Sequence, residues 1–147
     1  MIIIDTEQVK TCLDNLGIKE DEIIHLRAFL PKEDSRAKNN KGRKLACTFR
    51  SFPVDKITKL QQEGYGIYLV INQGGNRDRE IHAARAIFFE HDNLPEDEQR
   101  NLWKRHGLLE PTLQVRTGGR SIHSHLAFEE LFFLNTPEKV QAYLELL

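Results

Sequence analysis

Little in this chain of 147 residues speaks for a disulfide framework, a membrane or a targeting signal. Its two cysteines, Cys12 and Cys47, lie far apart and form no CxxC pair. That argues against a zinc site and for reduced thiols in a cytoplasmic protein. No apolar run approaches the roughly 18–20 residues of a membrane helix. The opening MIIIDTEQVK has too short an apolar stretch before Asp5 to be a signal peptide. The expectation is a soluble, intracellular protein with no membrane partner. Charge of one sign is lacking too: 21 Lys and Arg stand against 22 Asp and Glu, a net charge of -1. Any nucleic-acid contact must therefore come from a local patch. There is no linker, repeat or low-complexity tract, and the length suits a single domain spanning 1–147.

What is present is an alternation of short strands and helices. Residues 6–16 have a helical apolar face of Val9, Cys12, Leu13 and Leu16, closed by Gly17. Residues 22–30 and 45–52 read as strands of a wide hairpin around the polar loop 31–44. Pro53 opens a helix with Val54, Ile57 and Leu60 on one face, ended by Gly64. Residues 64–72 read as a buried strand, 73–80 as a loop and 84–92 as another strand. An acid-started helix runs to Gly107, anchored by Leu102 and Trp103. Residues 112–117 and 121–128 form a hairpin around Gly118 and Gly119. Thr136 and Pro137 open a last helix. It stops on apolar residues with no C-cap, so the chain is expected to be the front of a longer protein. Strands outnumber helices, which predicts an α+β fold with a mixed or antiparallel sheet.

Two constellations carry chemistry. Glu90 and Asp92, at the end of AIFFEHD, alternate onto one face of a strand, ~7 Å apart along it. Two carboxylates there suit hard divalent cations, which offset their repulsion. The second is Thr117-Gly-Gly-Arg120-Ser121-Ile-His123-Ser-His125. Glycines let a backbone approach phosphate, Arg120 offers a bidentate fork, and Ser121, His123 and His125 offer further donors from one face. Polar groups facing inward on an apolar strand are costly unless used. A third feature is the basic run Arg36, Lys38, Lys41, Arg43 and Lys44, with Arg50 beyond, either a solvated loop or a phosphate-contacting patch.

A strand ending hhEHD, then a helix, then TGGRSIHSH, resembles the archaeo-eukaryotic primase superfamily of primase–polymerases, in its plasmid and phage type. The resemblance covers roughly residues 65–130: the acid–x–acid motif is Glu90 and Asp92, and the Ser-x-His motif is Ser121 and His123. It implies an RRM-like sheet packed on helices, with an N-terminal αβ unit. It also implies template-directed nucleotidyl transfer in DNA replication. Glu90 and Asp92 would hold two Mg²⁺ or Mn²⁺ ions, and His123, Ser121, Arg120, Thr117 and His125 would grip a nucleoside triphosphate. Partners would be that nucleotide and a DNA template and primer, with a helicase or another domain downstream. Arg116 points to the face opposite Thr117 and ranks lower.

Two departures stand out. The family's third acid has no counterpart: Glu129 and Glu130 follow the second motif too closely, and Glu145 lies on the last helix. Without that acid the chain alone is expected to be poorly active. The first acid is Glu where Asp is usual. Two other classes compete. His123-Ser124-His125 with Tyr143 as nucleophile resembles an HUH-type nicking replication protein, although the middle residue is serine. An RRM-like nucleic-acid-binding module without catalysis would use the basic loop with Phe49 and Phe52.

Overall fold

The computed structural model describes residues 2–39 and 42–147, Asn39 by its backbone alone. It is an α+β fold in two compact units, each built on a three-stranded antiparallel sheet. The expected single sheet is thus two. The first unit holds residues 1–13, 18–70 and 74–81; the second holds 14–17, 71–73 and 82–147.

In the first unit, α1 (Thr6–Asn15) is capped by Asp5, whose Oδ1 accepts from the backbone N–H of Glu7 and Gln8 at 3.1 and 3.0 Å. Strand β1 (Ile24–Phe29) lies between β2 (Arg43–Cys47) and β3 (Gly66–Leu69). Helix α2 (Val54–Gln62) buries Ile57 and Leu60, as its spacing predicts. Ile24, Leu26 and Ala28 alternate inward on β1, and Leu45 and Cys47 do so on β2. The expected buried strand at 64–72 is instead a short edge strand, with Tyr68 56% exposed. A sheet packed on one face only leaves alternate residues in solvent, whatever their β propensity.

In the second unit, β4 (Ala83–Phe89) and β5 (Leu113–Arg116) flank β6 (Ile122–Phe133). Strand β6 runs five residues past its expected end, across a register shift opposite Ala84 and Ala86. The single helix expected after β4 is two, α3 (Glu96–Arg100) and α4 (Leu102–Arg105). Asn101 separates them, its side-chain amide donating back to the Asp97 carbonyl at 2.9 Å. Helix α5 (Pro137–Leu144) starts at Thr136, which accepts from the Lys139 N–H at 3.3 Å. Arg85 is buried because its guanidinium donates to the carbonyls of Ile71 and Gly17, at 3.1 and 2.9 Å. No helix among the described residues is long and apolar enough to cross a membrane.

Candidate functional site

The register of β4 against β6 positions the second unit's polar face. Phe88 pairs with His125 and Phe89 with Ser124. Continued past the end of β4, that register sets Glu90 opposite His123 and Asp92 opposite Ser121. The side chains meet accordingly. His123 Nε2 lies against Glu90 Oε2, and Ser121 Oγ donates to Asp92 Oδ1. Each acid thus faces one donor of the second motif, and the spacing of two residues in both motifs makes the match.

Around this quartet, aromatic rings set a floor. The ring of Phe88, itself about half exposed, stacks on His123 with centroids 5.3 Å apart, and His125 lies 5.7 Å from Phe88 and 6.2 Å from His123. His125 is buried, with Nδ1 lacking a hydrogen-bond partner. Burial, and then the neighbouring His123, push its pKa down to about 4. His125 is therefore neutral near neutral pH, a supporting ring that keeps one ring N–H, the donor expected to reach a phosphate.

The loop before Ser121 is held from behind. Gln99, buried on α3, donates to the carbonyls of Leu94 and Arg120 at 2.7 and 2.6 Å. Its Oε1 accepts from the Ile122 N–H at 2.8 Å. One amide thus ties the segment after Asp92 to the segment carrying Ser121. Thr117 closes the turn, its N–H and hydroxyl both donating to the Ser121 carbonyl at 3.1 Å, and Gly118 supplies the left-handed residue at φ +74°. Thr117 is thereby a turn residue. Arg120 is exposed at the turn's end. Arg116 points to the other face and pairs with Glu96 at 3.0 Å.

Gln99 and Phe88 were missed from the sequence. Gln99 carried a usable signal: a polar residue three positions before the anchoring Leu102, on the helix's inward face. Phe88 shares the parity of Glu90 and Asp92, and read as an ordinary strand aromatic.

The basic run does not assemble. Arg36 is bound to Asp34 at 2.6 Å and to the Glu63 carbonyl at 2.9 Å. Arg43 lies 3.9 Å from Glu63 and stacks on Tyr65. Strand alternation sends Lys44 to the opposite face from Arg43. Lys38 and Arg50 are exposed, and Lys41 lies outside the described residues. Phe49 and Phe52 line a cleft with Val9, Leu13 and Val54, so they pack against apolar groups. Tyr143, the nucleophile of the nicking reading, donates its hydroxyl to the Ala86 carbonyl at 3.2 Å and accepts from Asn72 at 3.0 Å. A hydroxyl so engaged is a packing group of β4 and α5.

No third acid joins the pair. Among the described residues, no cluster of three or more His, Cys, Asp or Glu side chains is arranged to hold a metal. Glu145 accepts from Gln141 at 3.1 Å on its own helix, and Glu129 and Glu130 are exposed on β6.

The chain is related in structure to the archaeo-eukaryotic primase–polymerases. It is similar in structure to the AEP domain of the cyanophage S-2L primase–polymerase (PrimPol). The TM-score is 0.75 and the identity 28%, over 95% of this chain and 71% of that one. No protein-family model and no curated protein matches the sequence.

Proposed function

We propose that this chain binds a nucleoside triphosphate and takes part in template-directed nucleotidyl transfer on DNA, as a primase–polymerase of replication. The reaction joins a strand's 3′-hydroxyl to the α-phosphate of the nucleotide, and pyrophosphate leaves. The observation that carries the reading is the cross-strand match of Glu90 with His123 and Asp92 with Ser121. The likeness to the cyanophage domain supports it independently. In this reading Ser121, His123 and the exposed Arg120 are the donors to the triphosphate. Gln99 and Thr117 hold the loop that presents them.

The donor chemistry fits a divalent cation in part. Glu90 and Asp92 bring exposed carboxylates to one face, the oxygen chemistry that Mg²⁺ and Mn²⁺ prefer. With two protein carboxylates only, the remaining ligands would have to be substrate phosphates and water. Glu90 and Asp92 would hold the two ions of the proposed mechanism, which supply positive charge to the attacking and leaving oxygens. His123 and Ser121, now bonded to the same carboxylates, are within reach of whatever those carboxylates hold. A downstream helicase is no part of this reading.

Primer extension by the 147-residue chain with Mn²⁺, beside Asp92→Ala and His123→Ala, tests it. The expected result is slow template-dependent extension, as a site with only two acids allows, that both variants lose. Extension unaffected by either variant contradicts it.

A further inference from the structure

We infer that the open face of the first unit's sheet is a platform for single-stranded nucleic acid, built on Lys44, Arg27 and Tyr68. It goes beyond the nucleotide site and needs neither nucleotide nor metal. The register sets Lys44 directly opposite Arg27 on one side, and Tyr68 directly opposite Arg27 on the other. All three alternate away from the core residues Leu26, Ala28 and Leu45, and share one face.

Two cations side by side across a strand pair destabilise a sheet. Elsewhere this chain pairs its arginines with acids, as in Arg36–Asp34, Arg100–Glu96, Arg105–Glu98 and Arg116–Glu96. Among the described residues, Arg27 and Lys44 have no ion pair. Arg27 lies over the Phe29 ring at 4.5 Å, and its Nε is buried without an acceptor. Arg27 and Lys44 line one cleft of ≈ 570 Å³ with Gly42, Asn76, Arg77 and Asp78. Of the carboxylates nearby, Asp78 lines the cleft itself, and Glu80 is turned to the Arg77 N–H at 3.0 Å and feels Lys44 only as a more distant charge. A cleft with two cations outside any ion pair, the Asp78 carboxylate and an Asn76 side-chain oxygen without a partner suits a ligand with both phosphates and base-edge donors.

The aromatic half is equally built. Tyr68 is 56% exposed and its ring lies over Gly66, where a Cβ would come within 3.1 Å of it. The Phe29 ring fills the space above Gly42, and meets Tyr68 edge-on at 5.9 Å. Glycine at both positions leaves room for the rings to lie along the sheet, where a base can stack. Cations beside an exposed aromatic on a sheet face are the chemistry that tracks a flexible strand.

Fluorescence anisotropy of a labelled single-stranded oligonucleotide, in EDTA and without nucleotide, tests the platform. Arg27→Gln and Lys44→Gln are each expected to weaken binding and to lower the salt slope by about 0.7. Tyr68→Ala is expected to weaken it by roughly 5- to 150-fold with the slope unchanged. Lys38→Gln, in the exposed basic loop, is expected to leave affinity as it is. Circular dichroism checks that each variant is folded. Three results overturn the inference: no binding by the folded wild-type chain, equal loss in Lys38→Gln and Lys44→Gln, or no effect of Tyr68→Ala. The last would reduce the face to a simple anion patch. Because the assay omits nucleotide and metal, its failure is distinct from failure of the nucleotide site.

Discussion

The two sheets of this chain follow the same construction and end in opposite chemistry. Each has three antiparallel strands, and each carries a row of polar groups set by register. In the second unit the row is acid against donor: Glu90 with His123, and Asp92 with Ser121. In the first it is cation against cation, Arg27 with Lys44, beside Tyr68. The acidic row satisfies itself and is further fixed from behind by a buried amide. The basic row has no ion pair among the described residues, with Asp78 in its cleft and Glu80 within reach of Lys44's charge. In the proposed function, the row that closes on itself exchanges partners when substrate arrives. A row that does not close awaits an anion.

The sharpest break of this contrast is Asp92→Ala. It is expected to reduce nucleotidyl transfer by about 10³-fold, the several kcal/mol that charge stabilisation at a phosphoryl centre supplies. Urea unfolding should show little loss of stability, since Asp92 is exposed. A rate within threefold of wild type would remove the acid row from the chemistry.

Next is Gln99→Leu, which leaves the Leu94 and Arg120 carbonyls and the Ile122 N–H without their partner. The expected cost is about 2–4 kcal/mol in urea unfolding, together with weaker nucleotide binding. Loss of stability alone would make Gln99 a core residue without a positioning role.

His125→Gln probes the ring floor through pH. The folded-state pKa of His125 is about 4, below the ordinary 6.5. The unfolded chain therefore takes up a proton first as pH falls, and the wild-type fold loses stability between about 6.5 and 4 and levels off below. That loss is of order 1–3 kcal/mol, and the variant should lack it. Identical pH profiles would mean that His125 titrates normally in the fold.

The smallest effect distinguishes the basic row most cleanly. Lys44→Glu replaces a like-charge pair with an opposite-charge pair opposite Arg27. It is expected to stabilise the fold by about 0.2–1 kcal/mol while abolishing strand binding. Lower stability would show that Arg27 and Lys44 do not repel in the folded chain.

Much of this was legible in the sequence. The hairpin around Gly118, the caps of α5 and α2's buried face follow from turn chemistry and spacing that act locally. Parity also set Glu90 with Asp92, and Ser121 with His123, on one face of each strand, but that those two strands pair was not readable. Other features depended on contacts far along the chain. Whether 64–72 is central or edge is decided by its neighbours in the sheet, not by its composition. The unpaired Arg27 became visible only once β1 lay between β2 and β3. The basic run misled because nearness in sequence is not nearness in space: Asp34 and Glu63 neutralise part of it, and alternation divides Arg43 from Lys44.

The most direct measurement is a calorimetric titration of the chain with a nucleoside triphosphate, with and without Mn²⁺, beside Asp92→Ala and His123→Ala. Metal-dependent binding that weakens in both variants is the predicted result. Binding that ignores the metal and both substitutions, or no binding by a folded chain, would contradict a nucleotide site at Glu90, Asp92 and His123.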